Sequence, residues 1–123
     1  MTATLTFTTP PPGLAPHTDF TLTELPGANS LFAMRAVADE ELRLYLLDPQ
    51  TVVAGYAPTI SDAHVSDLQL TSPDDAMVLV GVHAGTDGVS VNLMAPVVVN
   101  RNTGVATQVI LEDQGYPLRA TLN

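Results

Sequence analysis

The sequence predicts a mainly β protein, a barrel or a sandwich. Three observations carry this. Apolar and polar residues alternate over several short stretches, Gly, Pro, Asn and Asp punctuate them at short intervals, and two apolar runs within residues 91–111 are joined by Asn102, Thr103 and Gly104, which have turn chemistry. A length of 123 residues sets one domain over residues 1–123. A chain of that size buries roughly two-thirds of its unfolded surface and folds without staples.

The elements follow in order. Residues 4–8 alternate strictly and put Leu5 and Phe7 on one face, as in a half-buried strand. Pro10, Pro11, Pro12 and Gly13 then block regular structure. Residues 18–25 alternate again with Phe20 and Leu22 inward, and residues 26–29 make a turn. Residues 31–37 and 42–47 form an antiparallel pair linked by Ala38, Asp39, Glu40 and Glu41. A helix across residues 33–47 competes, because Ala, Glu, Arg and Leu are good helix formers. Residues 49–53 suit one helical turn with Pro49 at its first position. Residues 61–68 suit a short helix or loop with Ser61 as N-cap, residues 68–71 a short strand, and residues 72–75 a turn. Residues 77–83 are a strongly apolar central strand, with a hairpin turn at residues 86–88 and a return strand at residues 89–93.

Charge narrows the function classes. Four basic side chains stand against thirteen acidic ones, a net charge of −9. The four are Arg35, Arg43, Arg101 and Arg119, with no lysine, so the chain offers no basic stripe for a phosphate backbone. Direct nucleic-acid binding is therefore not expected, while a basic protein partner is electrostatically favoured. No run approaches the roughly 18 apolar residues of a membrane span, and no secretory leader is apparent, so the expectation is a cytoplasmic protein with no membrane partner. The absence of cysteine removes disulfides and thiolate metal sites.

Enzyme constellations are weak. The segment Gly88-Val89-Ser90-Val91-Asn92 approaches a nucleophile elbow but lacks its final glycine and the following helix. His17, His64 and His83 are isolated, and His83 reads as a strand-end residue. Asp74-Asp75 and Glu112-Asp113 have no oxygen-ligand loop spacing around them. No phosphate-binding glycine motif is present, so no enzyme, cofactor or metal is expected. Asn92, Asn100 and Gln108 punctuate apolar runs, where amides serve to satisfy backbone groups, and Pro96 belongs at a sheet edge or strand start.

The block Asn92-Leu93-Met94-Ala95-Pro96-Val97-Val98-Val99-Asn100, followed by Gln108-Val109-Ile110-Leu111 and by Tyr116-Pro117-Leu118-Arg119, resembles the C-terminal signature of the FliW family of flagellar assembly factors. The likeness extends more loosely to Leu5-Thr6-Phe7, Pro12-Gly13-Leu14, Tyr56 and Asp74-Asp75. Where the family commonly has Leu-Gln-Ser, this chain has Met34-Arg35-Ala36. The resemblance implies a single small antiparallel β-barrel-like domain with one or two short helical turns, monomeric and non-enzymatic. It implies binding to flagellin and, where the host has one, to the translational repressor CsrA, with the two partners excluding each other. Asn92, Pro96, Asn100, Gln108, Tyr116 and Arg119 are then signature residues with structural roles.

From charge and loop position, the partner face is expected among Asp39, Glu40, Glu41, Asp48, Asp74 and Asp75, with Tyr56 as an aromatic anchor. The alternative is a small β-barrel ligand-binding domain or enzyme whose pocket is lined by Asn92, Asn100 and Gln108.

Overall fold

The computed structural model describes residues 2–27, 30–51, 53, 55–86, 88–112 and 114–122. Among them are nine strands: β1 (Thr2–Phe7), β2 (Asp19–Glu24), β3 (Leu31–Ala36), β4 (Asp39–Leu47), β5 (Ala76–Gly85), β6 (Gly88–Val91), β7 (Val97–Asn100), β8 (Val105–Gln108) and β9 (Ala120–Leu122). One short helix, α1 (Asp62–Asp67), and 3-10 turns at Pro49–Thr51 and Pro73–Asp75 lie between β4 and β5.

Seven strands close into a barrel in the order β4, β3, β2, β1, β8, β7, β5, with β5 pairing back onto β4. Neighbours are antiparallel except at one seam, where β1 and β8 run parallel. An odd ring cannot alternate direction all the way round, so a seven-stranded barrel requires one parallel seam. Alternation along the strands fills the interior with Leu5, Phe7, Phe20, Leu22, Met34, Ala36, Leu46, Leu79, Val97 and Val99. The Phe7 and Phe20 rings meet edge to face with centroids 5.3 Å apart, worth about 0.5–1.5 kcal/mol beyond their buried area.

β5 carries two strands in succession on one of its edges. The Arg101 N–H donates to the Asp75 carbonyl beside β7, and the Asn92 N–H donates to the Gly81 carbonyl beside β6. Residues an even number apart on a strand turn their backbone groups to the same side. β6 and β7 therefore follow one another along one edge, and β4 takes the other. Val91 faces Val82 and Val97 faces Leu79, so residues 92–96 lie opposite only Val80 and Gly81. β6 and β9 continue from the upper part of β5 as a small ribbon.

The antiparallel pair expected over residues 31–37 and 42–47 forms, and the competing helix across residues 33–47 does not, since Met34, Ala36 and Leu46 enter the core at period two. Other elements depart from expectation. Asp39, Glu40 and Glu41 belong to β4 itself; the connection is Val37 and Ala38. Residues 68–71 are not a strand: Leu68 caps α1 and is fully buried, and Gln69 has φ 56°. His83 lies within β5, which runs on to Gly85. The return strand stops at Val91 instead of Leu93. β9 was not expected; it is three residues long and pairs with β6 only. Parts of four expected features (Ala28 and Asn29, Val52, Asp87, Asp113) lie outside the described residues.

The β7–β8 turn shows a backbone constraint. Gly104 has φ +82°, its N–H donates to the Asn100 carbonyl at 2.8 Å, and a Cβ there would press on the Thr4 carbonyl oxygen across the parallel seam. Gly27, at φ +78°, has nothing within 4 Å of such a Cβ. Gly104→Ala should therefore lower stability by about 2–3 kcal/mol, and Gly27→Ala by about 1 kcal/mol. Urea unfolding of the two variants checks this; equal losses would show that the seam is not the constraint.

Candidate functional site

The long connection from β4 to β5 packs against the outside of the barrel. There it forms a groove of about 520 Å³ lined by Pro49, Gln50, Tyr56, Ala57, Pro58, Ile60, Val65, Leu70, Thr71, Ser72, Pro73, Ala76 and Val78. The lining is apolar because β5 and β7 are covered on both faces. Leu79, Val97 and Val99 point into the barrel, while Leu68, Val98, Val109 and Leu111 form a separate outer cluster with Ile60, Leu70, Ala76 and Val78 packed on it. α1 forms part of the wall. Ser61 caps its N-terminus, accepting from the His64 N–H at 3.3 Å, and the Ser61 hydroxyl lies 2.7 Å from His64 Nδ1.

Tyr56 and Tyr116 pin this wall to the barrel. The Tyr56 hydroxyl donates to the Leu93 carbonyl at 2.7 Å, and the Ala57 N–H donates to the Tyr116 hydroxyl at 3.2 Å. The two rings meet edge to face at 4.7 Å. Burial pushes the Tyr56 phenol well above its ordinary range, and the neighbouring Tyr116 adds to the effect, so the hydroxyl stays a donor throughout the working pH range. Gln114 completes the clamp: its Oε1 accepts from the Thr59 N–H at 2.9 Å and its Nε2 donates to the Thr59 carbonyl at 3.0 Å.

The amides act on the backbone. Asn92 Oδ1 accepts from the N–H groups of Met94 and Ala95, both at 3.0 Å. Gln108 Nε2 donates to the Ala95 carbonyl at 3.0 Å. Asn100 Nδ2 donates to the Leu68 carbonyl at 2.8 Å and the Gln69 carbonyl at 3.3 Å, and its Oδ1 accepts from the Asn102 N–H at 2.8 Å. Pro96 is fully buried just ahead of β7, and its carbonyl accepts from the Val109 N–H. The amide-lined pocket of the alternative reading does not form: Asn100 and Gln108 line neither cavity, because both are held by main chain. Asn92 borders a smaller depression of about 270 Å³, with Leu118 and Arg119 on its rim, but its carbonyl oxygen is already engaged. No buried side-chain polar atom among the described residues lacks a partner.

The acidic residues expected to share one face do not. β4 runs from one end of the barrel to the other, so Asp39, Glu40 and Glu41 stand roughly 20–30 Å from Asp48. Asp48 and Asp74 adjoin the groove-lining residues Pro49 and Pro73. The Asp48 carboxylate accepts from the Gln50 N–H at 3.1 Å. Asp75 is engaged internally, where it accepts from the Thr71 hydroxyl at 2.6 Å, from the N–H groups of Thr71 and Ser72, and from Asn102 Nδ2 at 3.0 Å. Among the described residues no cluster of His, Cys, Asp and Glu could hold a metal ion, and no helix is long and apolar enough to cross a membrane. The sequence reading missed most of the groove lining. The available signal was Ile60, Val65, Leu68 and Leu70, apolar residues in a stretch without strand alternation.

The fold and the groove define a seven-stranded closed β-barrel with an apolar cleft built by a single long connection. A family profile described as FliW protein matches residues 1–122, and the chain belongs to the FliW family. It is 32% identical over 97 residues to the flagellar assembly factor FliW of Desulfitobacterium hafniense (strain Y51), covering 76% of this chain and 64% of that protein. To the flagellar assembly factor FliW of Bacillus licheniformis it is 29% identical over 115 residues, 92% of this chain and 80% of that protein. The chain thus spans under two-thirds of the length of the first of these relatives. A crystal structure of the flagellar assembly factor FliW superposes with a TM-score of 0.89 at 24% identity, covering 96% of this chain and 84% of that one. That likeness carries the fold.

Two outcomes follow from the hydrogen bonds. Asn92→Ala should destabilise the protein by about 1–3 kcal/mol by orphaning two N–H groups. Asn92→Asp, which keeps the acceptor, should cost less, and chemical denaturation ranks the pair. The Thr71 hydroxyl, then Asn102 and the Thr71 N–H, hold Asp75 below the ordinary carboxylate range. Its contribution is present above the unfolded carboxylate pKa and lost as pH falls through the lower folded one. The stability gap between wild type and Asp75→Asn should therefore close as pH falls below about 4, and a gap that persists in acid would refute the assignment.

Proposed function

We propose that this protein is a cytoplasmic, monomeric flagellar assembly factor that binds flagellin and antagonises a CsrA-type translational repressor by mutually exclusive binding, thereby controlling flagellin translation. The observation that carries this reading is the FliW family match across residues 1–122. Its relatives are named flagellar assembly factors. The net charge of −9 supports it, since a repressor that binds RNA must present a basic surface, and an acidic protein attracts such a surface while leaving nucleic acid alone. No cofactor takes part. Capture of the protein by one partner lowers the concentration free for the other, which is sufficient for a switch.

The groove end, with Asp48, Asp74 and the Tyr56 ring, is the shared contact in this reading. The Asp39, Glu40 and Glu41 cluster is too distant to join it, and Asp75 acts by holding the turn ahead of β5. The test is a calorimetric titration of the protein with flagellin, repeated with the protein already saturated by the repressor. The expected result is tight binding to flagellin that releases the repressor stoichiometrically. A ternary complex would refute mutual exclusion, and failure of folded flagellin to bind would refute the assignment as a whole.

A further inference from the structure

The charge carried by the elements that line the groove is one-sided, and Arg101 stands beside their Asp75 end, where its N–H donates to the Asp75 carbonyl. Between Arg43 and Arg101 the sequence contains no lysine or arginine, and every element lining the groove comes from that interval. Asp74 adjoins the lining residue Pro73 and is exposed. Asp62, also exposed, stands three residues before the lining residue Val65 on α1, so the two share a helix face. Asp48 adjoins Pro49 at the mouth. The floor is apolar: Ile60, Val65, Leu70 and Val78.

From this geometry we infer that the groove is the docking site for a short amphipathic segment of a protein partner, one whose apolar side chains fill the cleft and whose flanking Lys or Arg residues meet Asp48, Asp62 and Asp74. The inference rests on the proposed partner-binding function and specifies which chemistry that site selects. An anionic or phosphate-bearing ligand is repelled by the same rim. A purely apolar segment gains the floor but forgoes the steering. A segment with an apolar stripe and cationic borders satisfies both, and docking an amphipathic segment into an apolar groove is an established mode of recognition.

The probe is a short synthetic peptide with leucines at helical spacing and lysines elsewhere, titrated into isotope-labelled full-length protein. A counterpart with glutamate at every lysine position is the control. The lysine peptide should shift the amide resonances of Val65, Leu70 and Ser72, and the glutamate peptide should not. Ala57→Trp, which fills the cleft from an exposed position, should abolish binding with the unfolding midpoint retained. Asp62→Lys combined with Asp74→Lys should weaken binding about tenfold. Reversal of Asp39, Glu40 and Glu41 should leave it unchanged at physiological salt, where the screening length is about 8 Å.

Equal binding of the two peptides, or lysine-peptide binding indifferent to Ala57→Trp, would overturn the inference. The outcome for the whole-protein function is separable. If wild-type protein ignores flagellin and repressor yet takes the lysine peptide in the groove, the function falls and the groove assignment stands. If both proteins bind wild type and Ala57→Trp alike, the groove assignment falls and the function stands.

Discussion

The structure depends on how five residues are kept satisfied without a strand beside them. Residues 92–96 leave the edge of β5 between β6 and β7, and their backbone groups need partners elsewhere. Asn92 takes the N–H groups of Met94 and Ala95. Tyr56 and Gln108 bond the carbonyls of Leu93 and Ala95. Others pair with main chain: the Leu93 N–H donates to the Pro117 carbonyl, and the Met94 carbonyl accepts from Leu111. With that excursion held, one edge of β5 supports both the barrel strand β7 and the outlying ribbon of β6 and β9. Without it, β6 would run straight on and compete with β7 for the same edge.

The same bonds couple the barrel to the groove. Tyr56 belongs to the connection that forms the groove wall, yet its hydroxyl is fixed to the excursion and its ring to Tyr116. The wall is therefore positioned by bonds among three separate segments: residues 56–59, the Leu93 carbonyl of residues 92–96, and residues 114–116. A loop of this length would ordinarily be mobile because its backbone bonds face water. Here Leu68 is buried and bonded through its carbonyl to Asn100, and Asp75 closes the other end of the connection. A groove held open in this way has little ordering cost left to meet on binding.

Legibility in the sequence followed the reach of the interactions. β1 and β2 could be read because each alternates over at least five residues against one buried face, and the β7–β8 turn because Asn102, Thr103 and Gly104 declare it. The parallel seam is a property of the closed ring and of no segment, so no local pattern reports it. β9 is too short to alternate, and it exists only because β6 offers an edge. Asp39, Glu40 and Glu41 look like a loop by composition, but charged residues tolerate an exposed strand well. The amides in apolar runs indicated backbone satisfaction; which backbone they satisfied required the fold. The groove was hidden for a related reason. Its lining residues fall within one stretch, Pro49 to Val78, that has no strand or helix period to say which of its apolar side chains line a cleft, and the acidic residues around it differ from those at the other barrel end only by position.

An apolar floor with an acidic border divides two kinetic roles. The border raises the encounter rate of a cationic segment and loses that influence as salt increases, while the floor, shielded from ions, sets how long the segment stays. In a switch between two partners, the incoming one can bind only after the resident one has left, so the dissociation rate limits the response. A site that gained its affinity chiefly from long-range charge would release quickly at high ionic strength and exchange freely. A site that gained it chiefly from buried area would hold each partner long enough to register its abundance. Under the proposed partner switch, the distribution found here, with charge at the mouth and apolar side chains inside, would set the discrimination between partners at encounter and the timing in the cleft.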